Sequence, residues 1–179
     1  MAETSWPLPP DRVITDVEFE RLMSGPLGLS GLVNPTGSGG MGPPLAYCNS
    51  TGRNVKLHAS RRAFVRGFMW DSGSSDLTLS VAANATGSTR QDLVVLRLDR
   101  STFAVTAAVV TGTATLPSPT QSTGTSGVWE LPIASLSVPN GAVSLGASQC
   151  TELAWYLGQS PALCTGGTSP PFTTPGLLK

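Results

Sequence analysis

The ten-residue run Arg90–Asp99 (RQDLVVLRLD) constrains the fold more than any other part of the chain. It is the densest apolar stretch, and an Arg-x-Asp triplet stands at each of its ends. Successive side chains of a strand point to opposite faces, so the apolar residues in the middle of this run occupy both faces. We therefore predict a central β-strand that is buried on both sides in its middle.

The two Arg-x-Asp triplets are candidate ion pairs. Residues two apart in a strand share a face, so Arg90 can pair with Asp92, and Arg97 with Asp99. The alternative is a pair of catalytic carboxylates, but Asp92 and Asp99 can meet only if the strand is broken. We therefore interpret all four residues as structural ion pairs and predict no catalytic role for them.

Apolar and polar residues also alternate on both sides of this run. The alternation predicts about eight or nine short strands between residues 46 and 157, including one continuous strand over residues 63–70. Pro132 indicates an edge strand or a bulged strand, and the Asn140-Gly141 dipeptide predicts a hairpin. Strands spaced by about 8–12 residues are typical of antiparallel sandwiches and jelly rolls, so we predict an all-β domain of that class.

The N-terminal segment is predicted to be an anchoring arm that contains one short helix. Thr15-Asp-Val-Glu18 matches a capping box, in which the first and last residues each satisfy a backbone N–H of the other. A helix this short is marginal alone, so it must pack on its own domain or on a neighbouring subunit. The residues expected to anchor the arm are Trp6, Phe19, Leu22 and Met23.

Composition shifts divide the chain into four parts. The predicted boundaries are an arm at residues 1–24, a Gly/Pro linker at 25–45, a β-sandwich domain at 46–164 and an extended tail at 165–179. Within the domain, the polar segment 111–127 is expected to be a loop that faces solvent or a receptor.

The composition also limits the partners that we expect. The chain has 179 residues with 11 basic and 11 acidic side chains, so nucleic acid is not an expected partner. Charged residues make up only 12%, which gives little repulsion between copies and fits a protein inside an assembly. No apolar run reaches the ~18 residues of a membrane span, and no signal peptide is recognisable. We expect a soluble protein that does not bind membranes and is made in a cytosol.

Few residues are candidates for chemistry. The three cysteines, Cys48, Cys150 and Cys164, have no metal-ligand spacing, and we interpret them as structural thiols. His58 is a candidate general base beside Ser60, but no carboxylate is expected nearby to orient it. We therefore predict no metal, no cofactor and no enzymatic activity.

Four aromatic residues are candidate contact residues. Tryptophan and tyrosine are enriched in cores and at subunit interfaces, and their faces also suit the apolar faces of sugars. We expect core or interface positions for them, with a sugar-binding groove as the alternative. The four are Trp70, Trp129, Trp155 and Tyr156.

A series of short segments resembles a known group of proteins. They are, in order, Arg61–Trp70, Leu77–Asn84, Arg90–Asp99, Glu130–Gly141 and Glu152–Tyr156. Their succession is similar to small structural proteins of tailed bacteriophages, especially those among the minor tail and baseplate proteins of phages that infect actinobacteria. The resemblance covers about 100 residues between Val55 and Leu157, and the order of the segments carries it.

The resemblance implies a jelly-roll-like virion domain, usually trimeric, that is used for attachment. The expected function is therefore that of a non-enzymatic tail or baseplate module, which binds copies of itself and other virion proteins. Two alternatives stay open: a capsid decoration protein, and a carbohydrate-binding module that recognises a glycan of the host cell wall. An enzyme that acts on that wall is a third class of protein to be tested against these.

Overall fold

The computed structural model describes residues 15–24, 30–33, 43–154 and 156–157. The predictions for Trp6, Trp155, Cys164 and the tail at 165–179 lie outside these residues, and so does the prediction for the side chain of Leu22.

The described residues form one short helix and a series of short strands. The helix is α1 (Asp16–Ser24). The strands are β1 (Gly31–Val33), β2 (Ala46–Tyr47), β3 (Asn54–Leu57), β4 (Arg62–Val65), β5 (Phe68–Asp71), β6 (Leu77–Ser80), β7 (Arg90–Asp99), β8 (Ala104–Val110), β9 (Val128–Val138), β10 (Cys150–Glu152) and β11 (Tyr156–Leu157), with a 3₁₀ turn at Ala147–Gln149 before β10. The predicted class, an all-β sandwich with a short N-terminal helix, is confirmed.

The strands assemble into three sheets. The orders are β11-β1-β4-β5, β10-β9-β7-β8 and β2-β3-β6. All described pairs are antiparallel except that of β1 with β11, which is parallel. The predicted central strand is confirmed, because β7 lies between β8 and β9 and its residues 92–96 are buried.

The hydrophobic core joins the three sheets. On β7 the core side carries Val94, Leu96 and Leu98, as the alternation of side chains requires. Facing sheets contribute buried residues such as Val55 and Ala63. Burial of these side chains is the main stabilising contribution, at roughly 25 cal/mol for each Å² of apolar surface removed from water.

Strand β9 contains a bulge at Pro132. Val94 of β7 lies opposite Ala134, but the next residue, Val95, lies opposite Pro132, so Ile133 is an extra residue. Proline has no N–H to donate to the ladder, and a bulge accommodates that loss. The interpretation of Pro132 as a bulged position is confirmed, whereas the edge interpretation is wrong because β9 lies between β10 and β7.

The continuous strand predicted over residues 63–70 is wrong. The chain reverses at Arg66 and Gly67, whose φ angles are 51° and 91°, and β4 pairs with β5 as a tight hairpin. Two central residues with positive φ are the geometry of a type I′ turn, which matches the twist of the two strands. The reversal places Arg66 at the tip of the hairpin.

The segment after β9 also differs from the prediction. Asn140 and Gly141 do lie in a turn, but residues 143–145 are not a strand. Leu145 instead exchanges backbone hydrogen bonds with another loop, accepting from Ser50 (2.8 Å) and donating to Gly52 (3.0 Å). These bonds hold the connection away from β9, and the return strand begins only at β10.

The predicted linker at 25–45 contributes to the β-domain. Its residues 31–33 form β1, which pairs with β4 on one side and β11 on the other. Leu32 and Leu45 of the same segment are buried in the core. The β-domain therefore begins earlier in the chain than residue 46.

The long loop at 111–127 crosses the outer face of the central sheet. It starts beside β7, where Thr113 accepts from the amide of Gln91 (2.7 Å), and it ends beside β9, where Thr120 accepts from Glu130 (2.8 Å). Leu93 and Val95 on this face are fully buried although they are not part of the main core. The loop is largely exposed, and its hydrogen bonds to Gln91 and Glu130 lie on either side of these two residues.

Candidate functional site

The first Arg-x-Asp triplet forms a buried ion pair. Arg90 donates two hydrogen bonds to Asp92, from Nε (2.8 Å) and Nη2 (2.7 Å). The guanidinium also donates to the carbonyls of Ala82 and Ala83, both at 2.8 Å, and Asp92 accepts from the amide of Gly112. Each polar atom of the pair thus has a hydrogen-bond partner, as stable burial of a charge requires.

The second triplet does not form the predicted ion pair. Arg97 donates to Glu130 of β9 from Nε (2.8 Å), and its Nη2 lies 2.6 Å from the same oxygen. Glu130 lies directly opposite Arg97 in the register, so it is closer than a residue two positions along the same strand. The prediction that Arg97 pairs with Asp99 is therefore wrong.

Asp99 stabilises the turn between β7 and β8. Its carboxylate accepts hydrogen bonds from the amide (2.8 Å) and the hydroxyl (2.7 Å) of Ser101. Those two bonds, with the more distant charge of Arg97, hold the pKa of Asp99 below its usual range. Glu130 has a comparable structural role, because its second oxygen accepts from the amide of Thr120 in the crossing loop (2.6 Å).

A charged cluster of three residues joins α1 to the β-domain. Glu20 of α1 accepts from Nε and Nη2 of Arg100, both at 2.8 Å, and it also accepts from Arg66 at the hairpin tip. Glu20 and Arg100 are almost fully buried, with 5% and 4% of their surface exposed. We call these three residues the helix clamp.

Hydrogen bonding controls the charge of the clamp carboxylate. Burial acts to raise the pKa of Glu20, but hydrogen bonds and charge from Arg100 and Arg66 outweigh it, and the net pKa lies below the usual value. The carboxylate therefore stays ionised at neutral pH, where it holds both arginines.

Apolar contacts complete the attachment of α1. Phe19 packs edge-on against Phe68 with ring centroids 5.4 Å apart, and Phe68 continues to Phe103 at 5.5 Å. Met23 lies so close to Gly67 that a Cβ added to the glycine would come within 2.2 Å of the Cβ of Met23. Phe19 and Met23, two of the predicted anchoring residues, thus pack on the β-domain of their own chain.

The capping box at the start of α1 is confirmed. The amide of Thr15 donates to Glu18 (3.1 Å), and the amide of Glu18 donates to the hydroxyl of Thr15 (3.3 Å). This reciprocal pair satisfies two backbone donors that a helix N-terminus otherwise leaves free.

A small cavity of about 100 Å³ lies between α1 and the crossing loop. Val17, Glu20 and Arg21 line it from the helix, Arg66 from the hairpin, and residues 123–125 from the loop. Ligand pockets usually measure roughly 300–1,000 Å³, so this cavity suits a few water molecules and is too small for a sugar ring with its substituents.

Of the four predicted contact aromatics, the three in the described residues do not form a common groove. Trp70 is 6% exposed and belongs to the core, while Trp129 and Tyr156 are half-buried and pack against it. Trp129 lies under the guanidinium of Arg66, whose central carbon is 5.9 Å from the ring centroid. Trp70 is thus a core residue, and a sugar platform that includes it is excluded.

Tyr156 is fixed by a polar contact. Its hydroxyl donates to Glu152 (3.2 Å), and burial, with the charge of Glu152, raises the pKa of Tyr156 to about 12. The phenol therefore remains protonated at physiological pH and acts as a donor that orients the carboxylate.

A half-buried aromatic pair lies on a different sheet. Tyr47 and His58 stack with ring centroids 4.3 Å apart, and Asp76 accepts a hydrogen bond from the hydroxyl of Tyr47. The Nδ1 atom of His58 lies 4.0 Å from Asp76, so the expectation that His58 has no nearby carboxylate is wrong. Strand pairing causes this, because Leu57 of β3 lies opposite Leu77 of β6. We call Tyr47, His58 and Asp76 the tyrosine–histidine patch.

The tyrosine–histidine patch is not arranged like a nucleophilic active site. A separation of 4.0 Å is too long for a hydrogen bond between His58 and Asp76. Asp76 is already engaged by Tyr47 and by the amide of Ala59 (2.9 Å), which hold the pKa of Asp76 below its usual range. In the described part of the chain, no serine or cysteine side chain is hydrogen-bonded to the His58 ring, so the arrangement lacks a nucleophile.

The described residues contain neither a metal-ligand cluster nor a helix that could span a membrane. Among residues 15–24, 30–33, 43–154 and 156–157, no group of three or more histidine, cysteine, aspartate or glutamate side chains is placed to hold a metal ion. In those same ranges, none of the helical structure has the length and apolar character needed to cross a bilayer.

Comparison with protein-family models, with curated proteins and with solved structures finds no match to this chain.

Proposed function

We propose that this protein is a non-enzymatic virion structural protein of a tailed phage, an oligomeric tail or baseplate module that serves assembly and host attachment. Two things support the proposal: the order of sequence segments between Val55 and Leu157, and an all-β fold of the class that this order implies. The described buried charges are also engaged in structural contacts, which suits a scaffold better than a catalyst.

The observation that carries the proposal is the edge strand β8. It ends the central sheet, and its seven residues, AVTAAVV, include no charge and no proline. Natural proteins protect such edges with charges, prolines or bulges, because an unprotected edge pairs with other chains. None of the described strands pairs with the outer edge of β8. We infer that a second copy of this chain covers it in a closed symmetric oligomer.

Sedimentation equilibrium of the purified chain tests the proposal. We expect a species near three times 18.5 kDa at micromolar concentration. A lysine on an edge strand disfavours strand pairing, so Thr106→Lys, at an exposed position of β8, is expected to shift the protein towards the monomer. The matched control is Val143→Lys, which adds the same charge to an exposed loop. A monomer for the unaltered chain, or equal behaviour of the two variants, contradicts the assignment of β8 as the interface.

Removal of the arm tests the role in assembly. Deleting residues 1–24 takes away α1 and the clamp carboxylate but none of the described strands. We expect the truncated chain to retain a β-sheet circular dichroism spectrum and to fail to enter particles when it replaces the complete chain. Normal incorporation contradicts an assembly role for the arm. Enrichment in isolated capsids and not in tails favours the decoration alternative.

Glycan attachment is a second candidate function, and the tyrosine–histidine patch favours it. A half-buried tyrosine ring beside a carboxylate supplies the two contacts that sugars commonly use, an apolar face and a hydrogen-bond acceptor. The test is a pull-down on host cell-wall material with the unaltered chain and with Tyr47→Ala. Binding that the substitution abolishes supports the candidate, and absence of binding by the unaltered chain removes it.

A further inference from the structure

Two free cysteines lie together where two sheets meet. Cys48 directly follows β2, at the edge of the three-stranded sheet, and Cys150 is the first residue of β10, at the edge of the central sheet. Both are free thiols in the structure. Cys48 is 3% exposed, whereas Cys150 is half-buried, so Cys150 is the more accessible residue of the two.

Hydrogen bonds on both sides fix the relative position of the two cysteines. The amide of Leu45 donates to the Glu152 carboxylate (2.7 Å), and the amide of Ser50 donates to the carbonyl of Leu145 (2.8 Å). The segments 45–50 and 145–152 therefore run antiparallel to each other. Cys48 lies between the two attachment points of the first segment and Cys150 between those of the second, so the two residues lie opposite each other across the paired segments.

Both cysteine side chains face the hydrophobic core. Cys48 belongs to the core, and Cys150 packs against it. The neighbouring thiol of Cys150 lowers the pKa of Cys48, although burial of Cys48 opposes the shift. The proximity of Cys48, together with burial, raises the pKa of Cys150.

We propose that Cys48 and Cys150 are an oxidation site, at which a low-molecular-weight disulfide converts the two thiols into an intramolecular disulfide that joins the edges of two sheets. This inference does not depend on the proposed function.

The reaction balances in two exchange steps. The first protein thiolate attacks one sulfur of the small disulfide, which forms a mixed disulfide and releases one small thiol. The second protein thiolate then attacks the protein sulfur of that mixed disulfide, forms the Cys48–Cys150 bond and releases the second small thiol. Two protein thiols are oxidised, one small disulfide is reduced to two thiols, and the two protons go to the departing thiolates.

The consequence is a conditional cross-link. The bond closes a loop of about one hundred residues, a length at which a disulfide restricts the unfolded chain strongly. In a glutathione-reduced cytosol the thiols stay separate, and in an oxidising exterior the bond closes. The β-domain therefore folds without the bond and gains it only after transfer to an oxidising environment.

The experiment uses the complete chain carrying Cys164→Ser, so that only the pair remains. It is incubated at pH 8 with glutathione disulfide and digested under conditions that prevent exchange. We expect a cross-linked peptide that contains both cysteines and is two hydrogens lighter than the sum of its parts. We also expect loss of both thiols towards a thiol reagent in denaturant, and a rise in melting temperature on the order of 10 °C that dithiothreitol reverses.

A single-cysteine variant separates the proposal from ordinary thiol modification. Cys150→Ser alters the more exposed member and keeps the core residue Cys48. It is expected to show no melting-temperature rise and no cross-linked peptide. The proposal is overturned if both thiols of the Cys164→Ser chain stay free. It is also overturned if glutathione attaches to each cysteine separately and no cross-linked peptide forms. Neither outcome requires any variant of Cys48 to fold.

Discussion

The two ends of β7 carry the same Arg-x-Asp triplet and use it in opposite ways. At the first end, Arg90 and Asp92 bind each other and are buried together. At the second end, Arg97 pairs with Glu130 of the neighbouring strand, Asp99 binds Ser101 in the turn, and Arg97 keeps 38% of its side chain exposed.

The difference comes from what lies opposite each triplet in the sheet. Leu136 and Val138 of β9 face Asp92 and Arg90, and an apolar neighbour offers no competing charge. Glu130 faces Arg97 and attracts it across the strands. The first end therefore forms a closed local pair. At the second end, Glu130 binds the crossing loop, and Arg100, the residue after β7, binds Glu20 of α1.

The largest effect is expected from breaking the closed pair. Asp92→Ala leaves Arg90 buried without a counter-charge and removes the acceptor of Gly112. Loss of one partner of a buried ion pair typically costs about 3–5 kcal/mol, and we expect the free energy of unfolding to fall by that amount. Urea denaturation followed by circular dichroism measures it.

A second substitution shows whether the charge of the pair matters or only its shape. Arg90→Met with Asp92→Leu replaces the pair with apolar side chains of similar size, and we expect it to recover most of the stability lost in Asp92→Ala. If Asp92→Ala lowers the free energy of unfolding by less than about 1 kcal/mol, the description of the first end as a closed pair is wrong.

A smaller and more local effect is expected at the second end from Glu20→Gln. The amide cannot balance the charges of Arg66 and Arg100, so we expect docking of α1 to weaken by about 2 kcal/mol while the sheets stay folded. Hydrogen exchange measured by mass spectrometry is expected to show faster exchange in residues 16–24 and unchanged exchange in β7. The matched control is Glu18→Gln, which keeps a capping-box residue.

Acid should have the same effect on the unaltered chain. The folded pKa of Glu20 is lower than the ordinary value of 4.5, so its contribution is complete above that pH and is lost as the pH falls through the folded value. We expect protection of α1 amides, corrected for the intrinsic exchange rate, to decrease below about pH 4.5. Glu20→Gln should show no such step, and a step of equal size in that variant assigns the transition to another group.

The smallest effect is expected from Asp99→Asn. An asparagine oxygen can still accept the two hydrogen bonds from Ser101, and Arg97 keeps Glu130 as its partner. We expect the free energy of unfolding to stay nearly unchanged in the same urea experiment. A loss comparable to that of Asp92→Ala shows instead that Arg97 and Asp99 act as a pair, and the contrast between the two ends of β7 disappears.

The sequence predicted those features whose partners lie close together along the chain. The capping box and the contact of Arg90 with Asp92 involve residues two or three positions apart, where the geometry of a single helix or strand is sufficient. The class of fold followed from alternation, because burial of one face requires it.

Features that depend on how strands pair were missed. The partner of Arg97 depends on the bulge at Pro132, since one extra residue shifts every later pairing between β7 and β9. The helix clamp joins Glu20 to Arg100 across 80 residues, and no local pattern marks it. The proximity of His58 and Asp76 could have been predicted from the sequence, because pairing the two apolar alternations at 54–57 and 77–80 places these residues side by side.

The parallel pairing of β1 with β11 has a consequence for synthesis on the ribosome. Leu32 and Val33 pair with Tyr156 and Leu157. Strand β1 is therefore translated more than a hundred residues before its partner β11, and it cannot form this pairing until β11 has been made. Until then, one edge of β1 has no neighbour, while β3 and β6, or β7 and β8, already have theirs from nearby parts of the chain. The nascent polypeptide can thus form its central hairpins during translation, but the first sheet closes only after residue 157 has left the exit tunnel.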